Sequence, residues 1–189
     1  LLRQSFLRDD SDVPTSFFWK ELLRYKTGQT IGRLDSRYLG IDKTEEGSRP
    51  DYNAELSSWL HSFTPAINHY LKKELKFKTD LKYNMFGSVR PWNNDNDNTR
   101  DNLRAAVAQN PYLKILNQSG YYDGATTYFS AKYNLSQIDP SGKMKARFIF
   151  KGYRSGHMMY LRKEDLIQSN EDIRAFIKAS SADGKAAKY

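Results

Sequence analysis

Cysteine is absent from this 189-residue chain. That excludes a disulfide framework, a thiolate metal site and a cysteine nucleophile together, and it leaves the redox compartment open. Long hydrophobic runs are missing as well. No apolar stretch approaches the roughly 18 residues that cross a bilayer, so no membrane span is expected. The chain opens Leu1-Leu2-Arg3-Gln4, with neither an initiator Met nor the hydrophobic region of a signal peptide, and these residues carry no information on destination. Internal repeats are lacking too, and the Asn/Asp run at 93–98 is the one low-complexity segment.

What the chain does contain is enough to pack. At 39% hydrophobic it fits one ordinary domain, or a core piece with an appendage. Its 13 Tyr and 10 Phe supply apolar faces that line pockets as readily as they fill cores. Lys and Arg number 30 against 22 Asp and Glu, a net charge of +8. Such a balance raises the question of nucleic acid, but the charges are scattered. The densest group, Lys72, Lys73, Lys76 and Lys78, is interleaved with Leu71, Leu75 and Phe77 as on a solvated helix face, and no nucleic-acid partner is expected.

Residues 1–90 read as mostly helical. A first helix is expected after the Asp12–Ser16 cap region, ending at Gly28. Residues 32–50 read as a long connection. A second helix is expected from Asn53 to about Leu75, because Leu56, Leu60, Phe63, Ile67 and Leu71 recur every three or four residues, with Pro65 as a kink. The Asn/Asp run marks a boundary near residue 91. Beyond it the pattern alternates: helix 99–109, strand 113–116, helix 126–135, strand 146–150 and helix 163–179. Helices alternating with short apolar strands indicate α/β architecture with parallel strands. Residues 181–189 read as a tail.

In a parallel α/β sheet, ligands bind beyond the carboxyl ends of the strands, so the residues just after each strand are the informative ones. Asp123 follows the first expected strand and His157 the second. A carboxylate there can fix the tautomer of a histidine and stabilise the imidazolium that forms when the ring accepts a proton. Alone, Asp123-Gly124 reads as a turn and His157 as a loop histidine. Together they stand in the Asp-before-His order of the α/β-hydrolases. His61 and His69, about 2.2 helical turns apart, lack a third ligand, and Arg100 sits where a calcium loop following Asp95-x-Asp97 would need glycine. No metal or cofactor is expected.

The segment Asn110-Pro111-Tyr112-Leu113-Lys114-Ile115-Leu116, the run Gly120-Tyr121-Tyr122-Asp123-Gly124-Ala125-Thr126 and the words Gly156-His157-Met158-Met159-Tyr160 closely resemble the C-terminal part of the serine carboxypeptidase family, in its bacterial branch. Ile31-Gly32-Arg33-Leu34-Asp35-Ser36-Arg37 and Val89-Arg90-Pro91-Trp92 are similar to the same branch. The resemblance implies the C-terminal part of an α/β-hydrolase core at 91–180, preceded by a mainly helical cap insertion at 1–90. It also implies removal of C-terminal residues from peptides through a serine acyl-enzyme, in an extracytoplasmic (periplasmic or secreted) setting. On this carry-over Asp123 orients, His157 is general base and then general acid, and Met158 lines the pocket for the departing residue.

The nucleophile is the part without a candidate. Gly-x-Ser-x-Gly, the sharp strand-to-helix turn that presents a catalytic serine, occurs nowhere in the sequence. Gly87-Ser88 and Ser119-Gly120 lack the flanking glycines, and Ser155 is too close to His157 in the chain. The serine is therefore expected in an N-terminal portion of the same enzyme, which becomes the expected partner alongside the peptide substrate. Two other readings stay open: a noncatalytic basic binding module, and a hydrolase of the same fold acting on another ester or amide.

Overall fold

A computed structural model describes residues 27–41, 52–85, 87, 88, 91, 93, 95 and 99–181. The helix expected after residue 16 and the tail beyond 181 lie outside these. The elements in order are β1 (Gln29–Ile31), β2 (Leu39–Ile41), α1 (Ala54–His69), α2 (Arg100–Gln109), β3 (Ile115–Gly120), α3 (Tyr128–Ser136), β4 (Phe148–Tyr153) and α4 (Lys163–Ser180). Mixed helices and small sheets thus make up the described fold, compatible with part of an α/β architecture.

β3 and β4 run parallel, with Ile115 opposite Phe148 and Gly120 opposite Tyr153. The connection between them passes through α3, the crossover that parallel strands require. Both strands start and end later than their apolar runs suggest. β3 continues through Asn117, Gln118 and Ser119, which read as loop residues, because the ladder supplies partners that the side chains alone do not announce. Residues 145–147 form a turn of 3₁₀ helix before β4, and the Arg147 guanidinium donates to the carbonyls of Val107 and Asn110 at 2.8 and 3.3 Å. A cation at the last carbonyls of α2 satisfies groups that the helix cannot, and it ties α2 to the start of β4.

The segment expected as a connection holds structure. β1 and β2 pair antiparallel, Thr30 opposite Gly40, around the turn at 32–38. α1 buries Ala54, Glu55 and Trp59 on one side, and Trp59 meets Tyr38 edge to face at 5.7 Å. The helix runs on through Pro65 and closes in a wide π turn, Tyr70–Glu74, with Leu75 N–H donating to Tyr70 O at 3.0 Å.

α4 is held to the sheet by a polar network. The buried Tyr153 hydroxyl donates to Asp172 at 2.8 Å and accepts from Gln118 at 2.7 Å, while Lys151 pairs with Asp172 at 3.0 Å. Burial, followed by the hydrogen bond to Asp172, pushes the phenol up to about 12. Burial works against the Asp172 charge, but the bonds from Lys151 and Tyr153 outweigh it and hold the carboxyl below its ordinary range. Tyr153→Phe removes a donor and an acceptor at once and leaves Gln118 one partner short. The expected cost is about 1–3 kcal/mol, read as a lower urea midpoint with an unchanged slope.

Candidate active site

The parallel register sets the site. With Gly120 and Tyr153 side by side at the strand ends, the chain leaves both strands toward the same edge. Tyr121 N–H donates to Tyr153 O at 2.9 Å and Tyr122 N–H to Ser155 O at 3.0 Å, so the two loops stay zipped for two residues past the sheet. Asp123 and His157 then meet: the ring Nδ1 lies 2.8 Å from Asp123 Oδ2. The structure thus brings together the two residues that the sequence placed at strand ends.

Such closeness needs two glycines. A Cβ on Gly120 would collide with the carbonyls of Ser155 and Gly156, and one on Gly156 would lie 2.5 Å from Leu34 O and 2.6 Å from Asp35 Cβ. Neither position has room for a side chain.

Asp123 is 6% exposed and its carboxylate is saturated with donors. Oδ1 accepts from the N–H groups of Ala125 and Thr126 at 2.8 and 3.0 Å; Oδ2 accepts from the Thr126 hydroxyl at 2.6 Å and from His157. Burial raises the cost of the charge, yet these hydrogen bonds, Thr126's foremost, outweigh it and bring the carboxyl below its ordinary range. An ionised Asp123 commits Nδ1 of His157 as a donor, which leaves Nε2 as the basic nitrogen. The His157 side chain is 44% exposed, so the ring is open to a reacting group on its outer side.

The loop before the histidine is pinned from inside. Ser155 is fully buried, and its hydroxyl donates to Asp165, which also takes Arg162 Nη1 at 2.7 Å. That placement rules Ser155 out as a nucleophile, since its hydroxyl faces α4. Thr30, with glycine two residues away on each side, has the spacing of a nucleophile elbow but a threonine where the motif has serine. It lies in the middle of β1, fully buried, rather than on a turn.

A third segment completes the site. The turn at 32–38 meets both loops: Gly124 N–H donates to Arg33 O at 3.0 Å, Ser36 N–H to Tyr122 O at 2.9 Å, and His157 N–H to Leu34 O at 2.7 Å. Inside the turn Arg37 grips Asp35 with two bonds of 2.9 and 2.6 Å, donates to Arg154 O at 2.8 Å and lies over the Tyr122 ring at 5.2 Å. The bond to Asp35 raises the Arg37 pKa further above its ordinary value. Periodicity and composition give no sign of this role; only the resemblance had singled the segment out.

Next to His157, Met158 lines a cavity of about 570 Å³ together with Leu34, Trp59, Phe63, Ile67 and Tyr160. Its walls are mostly apolar and come from α1 and the π turn that follows it, from Tyr83 and Met85, and from the loops that carry Leu34 and Met158. Among the described residues, no group of three or more His, Cys, Asp or Glu could hold a metal ion. No family model, curated protein or solved structure matches the chain.

Because the folded Asp123 carboxyl lies below its unfolded value, its charge stabilises the fold above the ordinary carboxylate range. That contribution is lost as pH falls through the folded value. Asp123→Asn therefore costs about 2 kcal/mol near pH 7, and the gap to the unaltered chain narrows on acidification below about pH 4. Urea midpoints taken from pH 7 to pH 2 check it; a gap independent of pH refutes the ionised assignment.

Proposed function

We propose that this chain supplies the acid and the base of a serine-type carboxypeptidase whose nucleophilic serine comes from a segment outside these 189 residues. The observation that carries the reading is the Asp123–His157 hydrogen bond of 2.8 Å at the carboxyl ends of two parallel strands. The resemblance to the serine carboxypeptidases narrows the acyl substrate to a peptide with a free C-terminus, and with it comes a setting outside the cytoplasm.

In the acylation step His157 Nε2 takes the proton from the serine hydroxyl as the oxygen attacks the scissile carbonyl. Asp123 holds the ring and stabilises the imidazolium. The imidazolium then gives its proton to the leaving amine, the C–N bond breaks, and an ester to the serine remains. In the second step water takes the place of the amine, its proton passes to Nε2, and the acid product leaves as the serine recovers its proton. Oxyanion donors and the groups that bind the substrate carboxylate belong with the serine in this scheme.

The apolar cavity at Met158 suits the side chain of a large aliphatic or aromatic residue beside the scissile bond. Among the described residues β3 and β4 form a sheet of two strands, which supports a further portion that would extend it. Parallel sheets are ordinarily covered on both faces, and here most residues of β3 and β4 are only half-buried, while Phe129 of α3 and Ile177 of α4 are 74% and 61% exposed.

A serine-directed phosphonate is expected to leave this chain unlabelled on its own and to label the assembled enzyme on its other portion. Labelling of the isolated chain would overturn the assignment of the nucleophile. In the assembled enzyme, His157→Ala lowers kcat by about 10⁴-fold or more while circular dichroism stays unchanged. Trp59→Ala enlarges the cavity and lowers kcat/KM about tenfold or more for peptides ending in a large apolar residue, with a smaller effect on those ending in alanine. Equal losses on both would show that the cavity does not read the substrate.

A further inference from the structure

We infer that Glu55 is a positioning residue for the Asp123–His157 pair, acting through the single residue Leu34. The inference rests on the proposed function only in giving that pair a catalytic purpose.

Glu55 stands in the first turn of α1 and is fully buried. Its Oε1 accepts from Leu34 N–H at 2.8 Å, across 21 residues of chain, and its Oε2 has no hydrogen-bond partner among the described residues. A carboxyl group in such a place is costly to bury, and a hydrophobic side chain would fill the space more cheaply. Its return is the position of Leu34. The N–H of that residue is fixed by Glu55, and its carbonyl accepts the His157 N–H at 2.7 Å. The same residue therefore links the buried start of α1 to the backbone of the general base.

The neighbours of Leu34 extend the hold to the acid. Arg33 O and Ser36 N–H bond the Asp123 loop at Gly124 and Tyr122. Asp35 and Arg37 close on each other and so shape the turn, but among the described residues their side-chain hydrogen bonds reach no element outside the site loops. Among the described residues, Glu55 is the side chain of a separate helix that hydrogen-bonds the turn at 33–37. Without it Leu34 N–H loses its acceptor, the turn gains freedom, and His157 shifts against Asp123. A misplacement of about 1 Å is enough to impair a proton-transfer pair about a hundredfold.

The test uses the whole 189-residue chain and proton NMR. The Nδ1–H of His157, shared with the Asp123 carboxylate, gives a strongly deshielded signal, identified by its disappearance in His157→Gln. Glu55→Gln, which keeps a side-chain oxygen for Leu34 N–H, is expected to retain that signal. Glu55→Ala is expected to broaden or lose it and to speed exchange of the His157 amide at least about tenfold, while amides of the β3–β4 ladder stay protected. Retention of signal and protection in Glu55→Ala overturns the inference, as does equal loss in Glu55→Gln.

Should Glu55→Ala fail to fold, native-state exchange of the unaltered chain decides. The amides of Leu34 and His157 are expected to open together, with protection within about threefold of each other; His157 protection outlasting that of Leu34 by about tenfold overturns the link. None of these readouts needs the serine portion. An inactive assembled enzyme would sink the carboxypeptidase reading and leave this one standing, and the reverse outcome would do the opposite.

Discussion

Six residues of parallel pairing, Ile115–Gly120 against Phe148–Tyr153, govern the placement of everything that follows them. The strand ends are level, so three residues of loop on one side and four on the other bring a carboxylate to an imidazole. A register shifted by one residue would turn every side chain of β4 to the opposite face and carry His157 away with it. The ladder extends past the strands through Tyr121 and Tyr122, and Gly120 and Gly156 allow backbones to touch where side chains would hold them apart. The chemistry of the site is thus set by backbone pairing before any side chain contributes.

Buried carboxylates then take over the work that disulfides do in other small folds. Asp35 closes the turn at 33–37 through Arg37, Asp139 binds Met144 N–H at 2.6 Å and Ser141 at 3.0 Å between α3 and β4, and Asp165 joins Ser155 to Arg162. Each is partnered by N–H, O–H or guanidinium donors, which is what makes a charge tolerable away from water. Asp123 belongs to the same group by construction, with four donors, and differs only in that one of them is an exposed imidazole. A residue that organises a turn and a residue that orients a base are here the same kind of object, distinguished by what the partner can do with a proton.

Legibility follows from this division. The helices over 54–69, 100–109 and 163–180 were readable because apolar spacing is a local property, and the βαβ order was readable from their alternation with apolar runs. The ends of β3 and β4 were not, since Asn117, Gln118 and Gly152 are strand residues only by virtue of their partners. The hairpin of β1 and β2 stayed hidden for the same reason: three-residue strands carry too few positions to show alternation. Asp123 and His157 were legible because strand ends are privileged places in a parallel sheet. Glu55 was not, because a glutamate in the first turn of a helix looks like ordinary helix-dipole compensation, and its partner is 21 residues away.

The pair at 123 and 157 is already hydrogen-bonded within this chain, and this bears on what assembly with the proposed serine portion would have to achieve. Proton transfer from serine to imidazole is costly when ring, carboxylate and hydroxyl must all be ordered at once. Here the ring and carboxylate are fixed by the ladder, by four donors on Asp123 and by the turn at 33–37. On the proposed reading, ordering a single serine hydroxyl against Nε2 is what remains for assembly, and the entropy that a three-body encounter would lose has been spent in folding. By the same reading, a base oriented by its acid has no route to an acyl-enzyme without the serine of the other portion.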